Sequence, residues 1–261
     1  MKPAPFDYVR PASLAEAMRL LQEGGGAARP LAGGQSLGPM LNLRLAQPKL
    51  LVDVTGIPEL SGAAERGNTV VIGAAVTHAA IEDRRVPDIG QGVLARVAAT
   101  IAYRAVRNRG TMGGTLAHAD PAADWPTALT ALGASILVHG ATGTRAIALR
   151  DFITGPFVTA LQPGEIVQAI EIPKLSASAR WAWYKVCRKP GEFASTIAAV
   201  LNDAARGIRR AVIGATGDRP VLLEGDEVSE AALAHRLAAI DPIDRRVHGV
   251  ALRRALAQAA S

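Results

Sequence analysis

Two glycine-rich turns constrain this chain more than any other feature: residues 31–36 (LAGGQS) and residues 109–115 (RGTMGGT). Each turn follows an apolar stretch and places a pair of glycines beside a hydroxyl residue. Because glycine has no Cβ, successive backbone N–H groups of such a turn can converge on one concavity that binds anionic oxygens. We therefore expect the turns to hold, from two sides, a ligand with more than one phosphate, such as a dinucleotide. The alternative is that each glycine pair forms an ordinary structural turn.

The composition is that of a globular chain: 261 residues, 49% of them hydrophobic, are enough for a buried core and two domains. No apolar run reaches the roughly 20 residues that span a bilayer, and residues 1–7 lack the apolar core of a secretory signal. We expect a cytoplasmic protein with no membrane span. The single cysteine, Cys187, excludes an internal disulfide and a cysteine-ligated zinc or iron–sulfur site within this chain. The five histidines have no ligand-like spacing, so we expect no metal site.

The net charge of +6 raises the question of nucleic-acid binding. The chain has only three Tyr, three Trp and four Phe, and none is interleaved with the arginine clusters as a base-stacking surface would require. We therefore expect no nucleic-acid partner, and we interpret the arginines as solvated faces or contacts with partner proteins. The exception is the group that leads into the second glycine turn: Arg104, Arg107 and Arg109.

The order of predicted elements indicates an α+β fold with two domains. A capping box from Ser13 to Glu16 predicts a short helix, and the first glycine turn joins two predicted strands. This arrangement differs from the strand–turn–long helix of a Rossmann motif. From about residue 165 the pattern predicts one antiparallel sheet and then two helices. Its four strand candidates are residues 165–172, 181–187, 196–203 and 208–214, and the helices are residues 229–239 and 247–259. The domain boundary is expected at residues 162–164.

Several nucleotide-binding and catalytic motifs are absent or out of context. The sequence has no G-x-G-x-x-G and no Gly-Lys pair, so neither a Rossmann turn nor a Walker A loop is available. Residues 34–38 match the G-x-S-x-G nucleophile elbow, with Asp120 and His235 following in the order of a hydrolase triad. Only 35 residues precede Ser36, however, and Pro39 stands where a long helix should begin. We therefore interpret Ser36 as a hydrogen-bond donor to phosphate.

Residues 31–48 (LAGGQSLGPMLNLRLAQP) and 107–126 (RNRGTMGGTLAHADPAADWP) together resemble the flavoprotein subunit of the xanthine dehydrogenase and carbon monoxide dehydrogenase family of molybdenum hydroxylases. Residues 164–173 and 183–200 resemble the same family's C-terminal domain. The resemblance implies a two-lobed FAD-binding domain of the vanillyl-alcohol oxidase type over residues 1–162, with lobes of about residues 1–55 and 56–162. A small domain of antiparallel sheet and helices follows over residues 163–261. Gln35 and Thr115 depart from the His and Asn found in some relatives.

The resemblance also implies site residues. The first diphosphate loop comprises Ala32, Gly33, Gly34, Gln35 and Ser36, and the second comprises Thr111, Met112, Gly113, Gly114 and Thr115. Asp120 and Asp124 are expected to accept hydrogen bonds from ribose or ribityl hydroxyls; for Asp124 the alternative is a helix N-cap. Lys185 and Phe193 match positions that approach the flavin ring, and the alternative is that both are ordinary strand residues. No catalytic residue is expected on this chain.

The function implied is that of an FAD-binding electron-transfer subunit. In the family, a large subunit hydroxylates substrate at a molybdopterin centre, and electrons cross iron–sulfur clusters of a small subunit to the FAD and an external acceptor. The complex would be a heterotrimer or its dimer. A free-standing FAD oxidase or reductase of the same fold is the alternative.

Overall fold

The first lobe of the structure is a small parallel sheet. The computed structural model describes residues 2–260. Its first elements are β1 (Asp7–Val9), α1 (Leu14–Gly24), a 3₁₀ helix (Gly25–Ala27), β2 (Ala28–Leu31), α2 (Leu37–Asn42), β3 (Leu50–Asp53) and α3 (Pro58–Ser61). The strands lie in the order β1, β3, β2, with both pairs parallel. The carboxyl ends of all three strands therefore meet at one edge, and the first glycine turn begins there.

Helix α1 forms as the capping box predicts. Ser13 Oγ accepts a hydrogen bond from the N–H of Glu16 at 3.2 Å, and the Glu16 carboxylate accepts one from the N–H of Ala12 at 2.9 Å. Leu14, Ala17 and Leu21 recur at helical spacing and are buried in the core of this lobe. This helix covers one face of the parallel sheet.

The second lobe contains a five-stranded antiparallel sheet and several short helices. In chain order its elements are β4 (Ala63–Arg66), β5 (Thr69–Gly73), α4 (His78–Glu82), α5 (Val93–Ala99), α6 (Arg104–Arg107), α7 (Met112–His118), α8 (Asp124–Leu132), β6 (Ser135–Gly140), β7 (Gly143–Ala148), α9 (Leu149–Phe152), β8 (Ile153–Gly155), β9 (Val158–Thr159) and β10 (Ile166–Pro173). The strand order is β4, β5, β10, β6, β7, and β8 and β9 form a separate hairpin. The second glycine turn leads into α7.

The C-terminal domain is a four-stranded antiparallel sheet with helices on one face. Its elements are β11 (Arg180–Val186), β12 (Thr196–Asp203), a 3₁₀ helix (Ala204–Arg206), β13 (Ile208–Gly214), β14 (Val221–Glu224), a second 3₁₀ helix (Gly225–Glu227), α10 (Glu230–Arg236) and α11 (Pro242–Ala260). The strands pair in sequence order. The combination of this sheet, the first domain's sheets and the helices confirms the predicted α+β class.

One predicted strand lies in a different sheet from the one expected. β10 was expected in the C-terminal sheet, but it is the central strand of the second lobe, where Ile170 lies opposite Ile72 on β5 and Ile136 on β6. The fourth strand of the C-terminal sheet is instead β14. The strand pairing therefore moves the domain boundary from residues 162–164 to a position after Pro173. Residue alternation identifies a strand, but it does not identify the strand's partners.

The C-terminal sheet packs between two helical layers. Ala199, Leu201 and Val212 on one face share a buried cluster with Trp125 and Leu129 of α8. Residues on the other face pack against α11; they include Ala198, Val200, Ala211 and Ile213. Burial of both faces explains why β12 is almost continuously apolar. Among the helices of residues 2–260, none is both long enough and apolar enough to cross a membrane.

Candidate cofactor site

The first glycine turn leaves β2 with backbone donors that the chain itself does not use. Gly34 has φ +71°, a left-handed conformation that glycine adopts without strain. The carbonyl oxygen of Gly34 accepts from the N–H of Gly38 at 2.8 Å, and Gln35 Nε2 donates to the carbonyl of Gly33 at 3.1 Å. Within residues 2–260, no acceptor takes the N–H of Gly34, Gln35 or Ser36, and the Ser36 hydroxyl makes no hydrogen bond. Adjacent free donors of this kind suit an anionic oxygen.

The second glycine turn lies directly against the first. A Cβ added to Gly33 would stand 2.0 Å from the carbonyl oxygen of Arg109 and 2.7 Å from the Cα of Gly110. A Cβ added to Gly114 would come within 3.5 Å of the Ala32 side chain. Only glycine fits at position 33, because its neighbours there are backbone atoms that cannot move aside. The fold thus joins the two turns in one site, although they belong to different lobes.

The second turn uses most of its N–H groups internally. Met112 and Gly113 donate to the carbonyls of Val76 and Ala74 at 3.1 and 3.0 Å. Gly114 donates to Thr111 Oγ1 at 3.0 Å, which caps α7. The expectation of a row of free N–H groups is therefore wrong for this turn, because a β-bridge between Thr77 and Thr111 and the helix cap consume them. Among the N–H groups of residues 110–115, only that of Thr111 lacks an acceptor in the described chain.

Asp120 and Asp124, which follow the second turn, lie in different environments. Asp120 is half-buried, and its Oδ1 accepts from the N–H of Ala122 at 2.9 Å. Its other carboxylate oxygen has no partner among residues 2–260. Asp124 is buried as the first residue of α8, and the N-cap position belongs to Ala123. The N-cap alternative for Asp124 is therefore wrong, whereas contacts of either carboxylate with FAD remain a prediction.

Asp124 and Lys185 form a buried ion pair between the two domains. Lys185 Nζ lies 2.8 Å from Asp124 Oδ1 and donates to the carbonyl of Thr100 at 3.0 Å. The Thr100 hydroxyl donates to the same Asp124 oxygen at 3.0 Å. Each charged side chain is only 6% exposed. Burial raises the pKa of Asp124, and the neighbouring Lys185 opposes that rise. The pair ties β11 to α8, so Lys185 is more than an ordinary strand residue.

Phe193 lies in the turn between β11 and β12, which packs on the first domain. A Cβ on Gly191 would stand 2.7 Å from the carbonyl oxygen of Ala102 and 3.4 Å from the Tyr103 ring. Phe193 itself is 67% exposed, and Tyr103 is also exposed. These aromatic surfaces are available to cover a bound ring. Tyr103 had no sequence signal, because its proximity to this turn depends on the docking of two distant segments.

The arginines before the second turn have mainly structural partners. Arg107 binds Glu82 and donates to the carbonyls of Ile101 and Ala102, both at 2.9 Å. The hydrogen bond from Arg107 lowers the pKa of Glu82 below its usual range. Arg104 binds Glu82 and Asp83. These contacts fix the segment on which the Phe193 turn rests.

Sequence reasoning also missed a contact that stabilises the edge beside the first turn. The Tyr8 hydroxyl donates to Asp53 Oδ2, and the other oxygen of Asp53 accepts from the N–H and hydroxyl of Thr55 at 2.9 and 2.7 Å. Asp53 is buried at the carboxyl end of β3. Its satisfied carboxylate holds the ends of two parallel strands together. The sequence signal that could have indicated this contact is an aspartate, Asp53, at the end of an apolar strand.

Comparison with known proteins identifies the family of the chain. The carbon monoxide dehydrogenase medium chain of Afipia carboxidovorans is 35% identical, over 99% of this chain and 98% of that one. Subunit alpha of the 6-hydroxypseudooxynicotine dehydrogenase complex of Paenarthrobacter nicotinovorans is 40% identical, over 74% of this chain and 66% of that subunit. The family described as "FAD binding domain in molybdopterin dehydrogenase" matches residues 4–175. The chain belongs to this family.

The solved structures agree with this assignment. Carbon monoxide dehydrogenase from Hydrogenophaga pseudoflava superposes with a TM-score of 0.90 at 33% identity, covering 100% of this chain and 99% of that one. The FAD-binding subunits of this family belong to oxidoreductases, and FAD is the cofactor of this chain. The match to the family ends at residue 175, close to the domain boundary that the strand pairing gives.

The residues present fit FAD. Its diphosphate is anionic, and the first turn offers the free N–H groups of Gly34, Gln35 and Ser36 together with the Ser36 hydroxyl. The absence of a Cβ at Gly33 allows the second turn to complete the cradle. We expect the first turn to bind the diphosphate and the second turn to shape the cradle.

Ser36→Ala is expected to weaken FAD binding by about 10- to 150-fold, the value of one hydrogen bond to a charged group. The Ser36 hydroxyl has no partner in the described chain, so the thermal midpoint of the apoprotein should not change. Titration of apoprotein with FAD, followed by flavin fluorescence, measures the affinity. An unchanged affinity would show that the Ser36 hydroxyl does not bind FAD.

Proposed function

We propose that this chain is the electron-transfer subunit of a molybdenum hydroxylase complex. It would receive electrons from iron–sulfur clusters of a small partner subunit and pass them to an external acceptor. A large partner subunit with a molybdopterin centre would oxidise the substrate. The observation that carries the proposal is the joined pair of glycine turns, found in a chain that belongs to the FAD-binding subunits of these enzymes.

The distribution of side chains supports a role in electron transfer rather than substrate chemistry. Bound FAD can accept electrons singly and release them in pairs. The chain has one cysteine, so it cannot ligate an iron–sulfur cluster by itself, and the clusters must come from another subunit. Near the turns, Asp124 and Lys185 are buried and bonded to each other, which leaves neither free to act as an acid or base on a substrate.

The chain's own residues would bind and enclose the cofactor. The first turn would donate hydrogen bonds to the diphosphate, and the half-buried Asp120 would accept from sugar or ribityl hydroxyls through its free oxygen. The Asp124–Lys185 pair would hold the C-terminal domain so that the Phe193 turn lies beside the cofactor. The cytoplasmic location remains a prediction.

The purified chain is expected to be yellow and to contain about one FAD per chain without bound metal. Release of the cofactor by heat, followed by its absorption spectrum and by metal analysis, provides the measurement. A colourless protein that takes up no FAD on titration would contradict the proposal, because electron transfer by this chain requires bound FAD.

A tagged chain should copurify from its native host with two partners, one that binds iron–sulfur clusters and one that binds molybdopterin. Alone, it should not oxidise small organic substrates. If it were recovered instead as a monomer that turns over a substrate with FAD alone, a free-standing FAD oxidase or reductase would replace this proposal.

A further inference from the structure

A buried histidine lies directly beneath the second glycine turn. His78 is the first residue of α4 and is 3% exposed. Its Nδ1 accepts a hydrogen bond from the indole N–H of Trp125 at 3.1 Å, and Trp125 is fully buried in α8. Because Nδ1 is the acceptor, the proton of the neutral ring must be on Nε2. Nε2 lies 3.3 Å from Thr115 Oγ1, to which it can donate.

The hydrogen-bond chain continues from His78 into the turn. The Thr115 hydroxyl donates to the carbonyl of Thr111 at 3.2 Å, at the N-cap of α7. The backbone N–H of His78 donates to the carbonyl of Gly110 at 2.9 Å. A Cβ on Gly110 would stand only 2.9 Å from Cδ2 of the imidazole, so the turn rests on the ring itself. One residue thus holds the turn through its main chain and through its side chain.

We propose that His78 is a positioning residue for FAD, which fixes the second turn so that Thr111 and Gly110 present the cradle to the first turn. This inference rests on the proposed binding of FAD between the two turns. Gly110 is the link, because it touches His78 on one side and the site of the Gly33 contact on the other. A histidine that only filled the core would not need a ring nitrogen bonded to Thr115, which leads to the turn.

The neutral ring is required for this arrangement. Protonation of the imidazole would add a hydrogen to Nδ1. The Nδ1–H group and the indole N–H of Trp125 would then be two donors facing each other. Burial, together with the nearby Arg107 guanidinium, lowers the pKa of His78 to about 4. Arg107 is itself paired with Glu82 of the same helix as His78. The ring therefore keeps one acceptor and one donor at neutral pH.

His78→Phe tests the proposal, because it fills the space but removes both ring hydrogen bonds and keeps the backbone N–H. We expect FAD to bind about tenfold more weakly or worse, because the unsupported turn occupies its binding position in a smaller fraction of the molecules. His78→Gln, which keeps one acceptor and one donor, is expected to bind FAD with an affinity between those of the wild type and the phenylalanine variant. FAD titration and the thermal midpoint of the apoprotein are measured for each full-length variant.

His248→Phe is the matched control. His248 is equally buried, and its Nδ1 lies 2.6 Å from Thr196 Oγ1, but it belongs to the C-terminal domain. We expect this variant to lose stability without a change in FAD affinity. If His78→Phe lowers the thermal midpoint and leaves FAD affinity at the wild-type value, His78 is only a core residue and the inference is overturned.

Trp125→Phe decides the question if His78→Phe does not fold, since it removes the indole N–H that orients the ring. It should weaken FAD binding severalfold, and an unchanged affinity would also overturn the inference. A wild-type chain that binds no FAD would instead contradict the proposed function. Wild-type affinity retained in the variants would contradict only the role of His78.

Discussion

Gly33→Val is expected to abolish FAD binding. Any side chain at this position starts with a Cβ that would stand 2.0 Å from the carbonyl oxygen of Arg109. Because the obstacle is backbone, the two turns must move apart, and both the cradle and the docking of the lobes are lost. FAD content after purification, and titration of the variant with FAD, provide the measurement.

Gly62→Val is the control for this variant. Gly62 lies in the same domain with φ −87°, and nothing stands within 4 Å of an added Cβ. We expect this variant to bind FAD like the wild type. Normal FAD affinity in Gly33→Val would show that the turns do not form the site together.

Lys185→Met is expected to lower the free energy of unfolding by about 3–5 kcal/mol, because it leaves Asp124 buried without its partner. Urea denaturation measures the loss. The double variant Lys185→Met with Asp124→Leu should recover much of it, since it leaves no buried charge. Arg188→Met, which removes an exposed pair with Glu192, is the control and should change stability by less than about 1 kcal/mol.

The loss in Lys185→Met should also depend on pH. Burial raises the pKa of Asp124 in the folded protein, and removal of the lysine takes away the main opposing influence. A folded-state pKa above the unfolded value contributes stability at low pH that is lost as pH rises through it. The variant should therefore be closest to the wild type in acid and furthest from it at neutral and alkaline pH. The same loss at every pH would show that Asp124 does not carry an unpaired charge.

The sequence predicted the local features of this fold better than the contacts between distant segments. Helix α1 could be predicted because Ser13 and Glu16 act within four residues. The contact of Gly33 with Arg109 joins segments far apart in the chain. The sequence predicted that both turns hold one ligand, but it did not predict that their backbones touch. The strand over residues 166–173 was recognised, but its partners were not, since alternation is the same in either sheet.

The candidate site shows the same difference between local features and contacts of distant segments. The free N–H groups of the first turn agree with the prediction from its glycine pattern. The second turn has a similar pattern, but the N–H groups of Met112 and Gly113 already donate to the carbonyls of Val76 and Ala74. Lys185 and Asp124 were each singled out, but nothing in the sequence indicated that they bind each other. Such pairings depend on how the two domains dock.

The position of β10 determines when, during synthesis, the cofactor site can form. Gly113 of the second turn donates to the carbonyl of Ala74, and the N–H of Ala74 donates to the carbonyl of Gln168 on β10. Both glycine turns precede that residue in the chain and are therefore synthesised before it. The segment that carries them therefore lacks its support until β10 has emerged and inserted between β5 and β6. A ribosome stalled between the second turn and β10 would hold every residue of the two turns but no site that could retain FAD.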